Sequence, residues 1–267
     1  MTEAEFADHT EAMRRDGYAI LPGSVTHDEC EAARRELDRL WVDRESGGSE
    51  CLFNKARIFE RFYQIPEMIR LVRHFLGEDA FMNSMHSSVV EPGAGAGVVH
   101  TDGSISGHLR GTSAAAADGG RRITSHVISL TTIYCISDFT ISNGATQLVP
   151  GSHLHESFDI PEGPIENTRI VEAERGSAIV LNANIWHGTS KNGTDQRRYS
   201  VVIPWRRFWT RGEHALSRLV RPDVLQRAGA EGRKVFAIDA LEAYLESWQW
   251  DRTTGGPKPE FRELERP

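Results

Sequence analysis

The first 80 residues place hydrophobic side chains at helical spacing, with one short strand between the helices. Phe6 and Met13 have this spacing within residues 2–15, and Asp16-Gly17 ends this first predicted helix. The apolar run Tyr18–Leu21 follows and stops at a Pro-Gly pair. Because the run is short, apolar and closed by a turn signal, it predicts a strand.

Two further helices are predicted before residue 80. Thr26 has the properties of an N-cap residue, and Glu29 follows at the spacing of a capping box. The helix that begins there extends to about Trp41, and a third helix is predicted over residues 66–75. The N-terminal part, about residues 1–79, is therefore expected to be mostly helical.

From about residue 80 the pattern changes to short runs rich in β-branched and aromatic residues. The predicted strands cover residues 80–91, 96–100, 125–136, 145–149, 169–173, 177–182 and 198–205. Asn143-Gly144 predicts a two-residue hairpin turn, which needs positive φ at both positions. Many antiparallel strands with few crossover helices predict a mainly β fold with flanking helices, arranged as a jelly roll.

The pattern predicts a single domain over residues 1–267, with no internal repeat and no clear linker. Its jelly-roll core is expected over about residues 80–210, and a helical or irregular part over about 211–267. The Gly-, Ser- and Ala-rich segment 103–124 interrupts the strands. A loop of this length is typical of either a functional lid or a disordered insertion, and the sequence leaves both open.

Composition narrows the classes of function. The 267 residues are 39% hydrophobic and 26% charged, which is sufficient for a buried core. We expect a cytoplasmic protein, because no run reaches the roughly 20 apolar residues of a membrane helix and the N-terminus does not resemble a signal peptide. The formal net charge of -7, with scattered basic residues, argues against nucleic acid as a partner. Cys30, Cys51 and Cys135 lack the spacing of a zinc site or a disulfide framework.

Candidate metal ligands lie at the ends of two predicted strands. His100 and Asp102 are two residues apart, so both side chains can project to one face of an extended chain. His187 follows the apolar strand 177–182, and Arg198 opens the next strand. If Arg198 is buried, its charge needs a partner.

Two histidines and one carboxylate form the ligand set of non-heme Fe(II) oxygenases, which leaves three coordination positions open. A zinc hydrolase can use the same ligand types with one bound water. That enzyme would not need a distant arginine placed for a dicarboxylate. These residues alone therefore favour the oxygenase and leave the hydrolase as an alternative.

The chain resembles the phytanoyl-CoA dioxygenase (PhyH) family of Fe(II)/2-oxoglutarate-dependent oxygenases. The resemblance is carried by His100-x-Asp102, by residues 143–153 (NGATQLVPGSH), and by His187 with Arg198 eleven residues later. It extends from about residue 16 to about residue 205. It implies a double-stranded β-helix core of the cupin-like type, with Fe(II) as cofactor and 2-oxoglutarate as co-substrate.

The resemblance also implies roles for single residues. His100, Asp102 and His187 match the iron ligands that form the catalytic centre. Arg198 matches the arginine that pairs with the distal carboxylate of 2-oxoglutarate, and Thr189 matches a hydroxyl on the same carboxylate. His153 matches a scaffold position that does not bind iron, and we expect it to be structural.

Further candidates come from the predicted strands and loops. Thr131 and Thr132 are additional candidates for holding 2-oxoglutarate. Candidate substrate contacts are Asn83, Met85 and Ser87, which alternate on one strand and so share a face, and His108 and Arg110 in the segment 103–124.

The expected activity is hydroxylation of a small-molecule metabolite, as in natural-product biosynthesis, with dioxygen consumed and succinate and carbon dioxide formed. The carboxylate of Asp102 favours this reaction over halogenation, because related halogenases have a small residue at that position. Desaturation, ring formation or skeletal rearrangement at the same iron centre is the alternative. From another class, a non-catalytic binding module could retain the fold. The substrate and the oligomeric state are not predicted.

Overall fold

Helices pack around two antiparallel sheets. The structure, a computed structural model, describes residues 1–41, 49–102, 121–157, 159–210, 212, 214–238, 250–251, 253 and 256–257. Its α-helices are α1 Glu3–Arg15, α2 His27–Trp41, α3 Pro66–Leu76, α4 Leu216–Leu219 and α5 Pro222–Val235. Short 3-10 helices cover Leu52–Asn54, Arg57–Gln64 and Ser152–Leu154.

The strands belong to one large sheet, one small sheet and a short hairpin near the C-terminus. They are β1 Tyr18–Leu21, β2 Phe81–Met82, β3 His86–Val90, β4 Ser129–Cys135, β5 Thr146–Leu148, β6 Arg169–Ile170, β7 Ala178–Asn182, β8 His187–Thr189, β9 Arg198–Arg206, β10 Trp250–Asp251 and β11 Gly256–Pro257. The large sheet has the order β1-β7-β4-β9-β2, with β3 also paired to β9. The small sheet has the order β6-β5-β8.

The helices predicted in the N-terminal part are confirmed. The side chains of Thr2 and Glu5 form a capping box at the start of α1. At α2, the Glu29 carboxylate accepts from the Thr26 backbone at 2.9 Å, and the Thr26 hydroxyl accepts from the Glu29 backbone at 3.2 Å. Both boxes satisfy backbone N–H groups that the first turn of a helix leaves without partners.

Two hydrophobic clusters lie on opposite faces of the large sheet. The larger cluster lies between this sheet and the helices and includes Phe59, Tyr134 and Trp205. The smaller one joins the two sheets and includes Ile133 of β4 and Leu148 of β5. Successive residues of β4 therefore face alternately toward the helices and toward the small sheet. This arrangement is the mainly β fold with flanking helices that the sequence predicts.

Two strand predictions need correction. The single strand predicted over 80–91 is two strands, β2 and β3, separated at residues 83–85. The strand predicted over 96–100 is wrong, since this segment contributes only an isolated bridge between His100 and His187. Gly97 and the preceding Gly93 and Gly95 lack side chains that would pack on the sheet, and so they favour an irregular connection.

The hairpin predicted at Asn143-Gly144 is also wrong. β4 pairs with β7 and β9, whereas β5 pairs with β6 and β8. Of the two turn residues only Gly144 has positive φ, at 84°. A Cβ at Gly144 would lie 2.8 Å from a methyl carbon of Val90, so close packing also requires glycine there. The pair therefore belongs to a connection between the two sheets.

Several expectations concern the chain beyond these strands. Cys30, Cys51 and Cys135 are free thiols. Within the described ranges, no helix combines the length and apolarity needed to cross a bilayer. Residues 103–120, which make up most of the segment predicted as a lid or an insertion, lie outside the described residues. The single-domain organisation stays a prediction.

Candidate metal centre

Two imidazoles and one carboxylate meet at the end of the small sheet. One potential ligand atom from each of His100, Asp102 and His187 lies within 4.8 Å of the other two. The Asp102 carboxylate is 3.4 Å from His100 Nε2 through Oδ1 and 3.5 Å from His187 Nε2 through Oδ2. The residues predicted as a ligand set, which are far apart in sequence, are therefore adjacent in space.

Backbone hydrogen bonds bring these residues together. The amide of His100 donates to the carbonyl of His187 at 2.8 Å, and the amide of His187 donates back at 2.9 Å. The amide of Asp102 donates to the carbonyl of Ala183 at 2.8 Å. Because these bonds join the segment before residue 103 to the β7–β8 region, they set the spacing of the three side chains.

Both imidazoles are oriented by their second nitrogen. His100 Nδ1 lies 2.9 Å from the carbonyl of Val98, and His187 Nδ1 lies 3.0 Å from the carbonyl of Ile185. A carbonyl only accepts hydrogen bonds, so each Nδ1 carries a proton and each Nε2 faces the cluster. This is the usual support of a histidine that binds a metal.

The electrostatic environment holds Asp102 and His187 in the protonation states that a metal requires, whereas His100 must give up a proton to bind one. Burial raises the pKa of the Asp102 carboxyl, but the neighbouring His187 and the hydrogen bond from His100 outweigh it and hold this pKa well below its usual range. Burial lowers the pKa of His187, whereas the hydrogen bond to Asp102 raises the pKa of His100. At neutral pH the carboxylate is ionised and His187 is neutral, as metal binding needs.

Thr131 gives the carboxylate a further support, and its neighbour Thr132 offers a matched comparison. Thr131 Oγ1 donates to Asp102 Oδ2 at 2.7 Å. We expect Thr131→Val to weaken metal binding by about 10-fold, the low end for loss of a group that orients a ligand. Thr132→Val should leave the metal dissociation constant unchanged, because Thr132 lies on the opposite face of β4. Titration of both variants with Co(II), followed by visible absorption, measures the difference; equal affinities would contradict the role of Thr131.

A cavity of about 270 Å³ extends from this cluster between the two sheets. Its lining residues are Asn83, Ser84, His86, Ser88, His100, Asp102, Thr131, Ile133, Thr146, His187, Gly188, Thr189, Arg198, Ser200, Val202, Pro204 and Arg206. The side chain of His100 is 48% exposed, whereas that of His187 is 8% exposed. The cluster is therefore reached from solvent on the side of His100.

Arg198 places a buried cation in the wall of this cavity. The residue is 3% exposed. Its Nε donates to the carbonyl of Gly144 at 3.0 Å, its Nη1 donates to Ser200 Oγ at 2.8 Å, and its guanidinium carbon lies 4.5 Å from the Phe139 ring centre. The guanidinium is thus held by neutral groups on several sides.

No carboxylate of the described chain compensates the charge of Arg198. Burial lowers its pKa to about 10; the Cys135 thiol acts in the opposite direction, but no carboxylate does. A buried guanidinium is favourable only when an anion or hydrogen-bond acceptors surround it, and its fork matches a carboxylate. The side chain therefore fits the distal carboxylate of a bound dicarboxylic acid. The donor set of the metal cluster and this cation both suit iron with 2-oxoglutarate.

The structure separates the remaining predicted site residues. Thr189 and Asn83 line the cavity with the ligands and Arg198. Thr132 does not: it is fully buried, donates to the Met68 sulfur at 3.3 Å and accepts from Trp205 Nε1 at 3.1 Å. The prediction for Thr132 is therefore wrong, because the alternation of β4 turns Thr131 toward the cavity instead.

The predicted substrate face of Met85 and Ser87 is likewise wrong. Met85 belongs to the large hydrophobic cluster, and Ser87 is not part of the cavity lining. The break between β2 and β3 shifts the alternation by one residue, so His86 and Ser88 face the cavity. His108 and Arg110 lie outside the described residues. His153 does not line the cavity, and its Nε2 lies 3.1 Å from the carbonyl of Arg14, as expected of a structural residue.

Sequence reasoning missed a set of cavity residues on β9. Ser200, Val202 and Pro204 line the cavity on the same face of the strand as Arg198. The signal was available, because residues at every second position of a strand share a face. Placing Arg198 in the site would have placed these residues there as well.

A profile of the family described as phytanoyl-CoA dioxygenase (PhyH) matches residues 13–200. The chain belongs to this family. Among curated relatives, "Dioxygenase trt7" of Aspergillus terreus is 31% identical over 205 residues, covering 70% of this chain and 68% of the relative. "Dioxygenase af480" of Aspergillus fumigatus is 23% identical over 215 residues, and the chain spans 64% of its length. The family predicted from the sequence is confirmed.

Solved structures of similar fold support the same architecture. The epimerase SnoN, in complex with Fe3+, alpha ketoglutarate and nogalamycin RO, superposes with a TM-score of 0.59 at 18% identity. The superposition covers 77% of this chain and 85% of SnoN. The likeness confirms the predicted jelly-roll fold of this PhyH member.

Proposed function

We propose that this protein is an Fe(II)- and 2-oxoglutarate-dependent oxygenase that hydroxylates a small-molecule metabolite. One observation carries the proposal: the triad His100, Asp102 and His187 shares a cavity with Arg198, a buried cation that lacks a carboxylate partner in the described chain. A metal site alone would suit a zinc hydrolase equally. The arginine adds a recognition group for a dicarboxylic co-substrate.

In this proposal each residue has a defined role. The triad would hold Fe(II), and a set of three protein ligands is the one that iron oxygenases combine with a co-substrate. Arg198 binds the distal carboxylate of 2-oxoglutarate through its guanidinium fork, and Thr189 contributes a hydroxyl in the same cavity. Iron with 2-oxoglutarate and dioxygen supplies the power to oxidise a C–H bond, with succinate and carbon dioxide as the co-products.

The shape of the cavity determines where a substrate can enter. At about 270 Å³ the cavity has a volume below the usual range for drug-sized ligands, and 2-oxoglutarate must share it. The substrate therefore approaches from the exposed side of His100. Asn83 and Ser84 supply hydrogen-bonding groups in the wall, while Ile133 and Val202 supply apolar ones. A small molecule with both polar and apolar parts fits this lining.

The same residues suit oxidations other than hydroxylation, and the comparison with SnoN is a reason to retain these reactions as alternatives. SnoN, which has a similar fold, is described as an epimerase in nogalamycin biosynthesis. Desaturation, ring formation or rearrangement therefore stays the alternative to hydroxylation. A natural-product substrate agrees with the part that SnoN has in nogalamycin biosynthesis.

The test combines co-substrate turnover with product mass. Purified protein is supplied with Fe(II), 2-oxoglutarate, dioxygen and a panel of small metabolites, and succinate is measured. Hydroxylation adds one oxygen to the product, desaturation removes two hydrogens, and epimerisation leaves the mass unchanged. Conversion of a panel compound that does not require dioxygen, or that persists when Zn(II) replaces iron, would identify a hydrolase instead. No succinate with any panel member would favour a binding module.

A further inference from the structure

The loop of residues 183–186, which joins β7 to β8, supports two of the three candidate ligands. The carbonyl of Ala183 accepts the amide of Asp102 at 2.8 Å, and the carbonyl of Ile185 accepts from His187 Nδ1 at 3.0 Å. A displacement of this loop would therefore move the carboxylate and rotate an imidazole together. We call residues 183–186 the ligand-supporting loop.

Arg122 holds this loop without lining the cavity. The residue is 5% exposed. Its Nη2 donates to the carbonyl of Asn184 in the middle of the loop, and its Nη1 lies 3.5 Å from the carbonyl of Ser152. The guanidinium thus joins the loop to the 3-10 helix Ser152–Leu154.

Two more hydrogen bonds attach the ligand-supporting loop to the residues next to Arg122 and to Ser152. Asn184 Nδ2 donates to the carbonyl of Ile123 at 2.8 Å, next to Arg122. The amide of Trp186 donates to Ser152 Oγ at 2.8 Å. The loop is therefore fixed at its centre and at its end before His187 begins β8.

The charge of Arg122 has no ionic compensation in the described chain. Burial alone lowers its pKa to about 10, with no acidic group acting against it. Placing an arginine in such a site costs free energy that a neutral residue would not cost. What the guanidinium provides is geometry, because its rigid fork can reach two carbonyls at once, whereas an ammonium group is a single point charge.

We propose that Arg122 is a positioning residue for the metal centre: it fixes the ligand-supporting loop so that Ala183 and Ile185 hold Asp102 and His187 in the geometry that binds the ion. The inference rests on the proposed function, since it concerns the same metal site. Arg122 itself does not line the cavity or contact the ligands.

The test compares Arg122→Lys with a matched control, Arg207→Lys. Arg207 also donates to backbone carbonyls, from Nε to Val127 at 2.6 Å and from Nη2 to Phe75 at 2.7 Å, but it does not touch the ligand-supporting loop. Both variants replace an arginine fork by an ammonium. Two quantities are measured: the Co(II) dissociation constant, from visible absorption, and the midpoint of thermal unfolding of the metal-free protein.

We expect Arg122→Lys to weaken Co(II) binding by about 10- to 100-fold, the range for groups that orient metal ligands. Arg207→Lys should bind Co(II) as the original protein does, although both variants unfold at a lower temperature. The d–d spectrum of cobalt bound to Arg122→Lys should also change, because the ligand geometry is altered. Wild-type affinity in Arg122→Lys, or an equal loss in both variants, would overturn the proposal.

A second variant decides the question if Arg122→Lys does not fold. Arg122→Met keeps most of the side-chain length but has no donor for the carbonyl of Asn184, and it removes a charge that burial disfavours. It should also weaken Co(II) binding, and unchanged affinity there would overturn the proposal. Failure of the proposed function looks different: the original protein would then bind no Co(II), or His187→Ala would bind it equally well.

Discussion

His187→Ala abolishes measurable Fe(II)-dependent turnover of 2-oxoglutarate if the triad holds iron, and this is the largest effect we expect from any single substitution. The imidazole is buried, its Nε2 faces Asp102, and its orientation is fixed by the carbonyl of Ile185. Removing it leaves two protein ligands. We expect metal affinity to fall by at least about 100-fold. Loss of a group that only orients a ligand costs up to about this much, and loss of the ligand itself should cost more.

His153→Ala is the matched control for that substitution. His153 is also a buried histidine, but its Nε2 lies 3.1 Å from the carbonyl of Arg14, and it does not line the cavity. This variant should lose stability while keeping the Co(II) affinity and the rate of succinate formation. Equal loss of metal binding in the two variants would mean that the triad is not the metal site.

Arg198→Gln has the second largest expected effect, and it acts on the co-substrate. Truncating one partner of a buried charged hydrogen-bonded pair costs about 2 kcal/mol or more. That cost corresponds to a KM for 2-oxoglutarate raised roughly 30-fold or more. The measurement is succinate formation at varied 2-oxoglutarate, together with Co(II) affinity, which should not change because Arg198 is not a ligand.

The adjacent residue provides the control for Arg198→Gln. Arg197 is partly exposed and pairs with Glu91 at 2.8 Å. Arg197→Gln removes the same charge from the neighbouring position of the chain and should leave KM for 2-oxoglutarate unchanged. In the metal-free protein, Arg198→Gln should lose little stability or gain some, since it removes a cation that burial disfavours. A KM within two-fold of the original for Arg198→Gln would refute its assignment to the co-substrate.

The sequence predicted the candidate ligands because their chemistry is restricted to few residue types. His100, Asp102, His187 and Arg198 were predicted from the spaced set that resembles the PhyH family, since His100-x-Asp102 by itself is a weak signal. The helix α2 was equally accessible, because the capping box at Thr26 is a local signal. Such features depend on neighbours within a few positions, which a sequence displays directly.

The cavity wall was less accessible, because it depends on where each strand begins and breaks. A break at residues 83–85 shifted the predicted substrate face from Met85 and Ser87 to His86 and Ser88. Thr132 was predicted beside Thr131 for a similar reason. Neighbouring positions of a strand face opposite sides of the sheet, so one of the two lines the cavity and the other lies in the core. The turn at Gly144 was misassigned because its positive φ serves packing against Val90.

The attachment of the chain on both sides of residues 103–120 has a consequence for how this enzyme can diversify. The amide of Asp102 donates to the carbonyl of Ala183, and the side chain of Arg122 donates to the carbonyl of Asn184. The chain on either side of residues 103–120 is therefore attached to two consecutive residues. Both anchors lie outside residues 103–120, so insertions and deletions in that segment would leave in place the hydrogen bonds that position the candidate iron ligands.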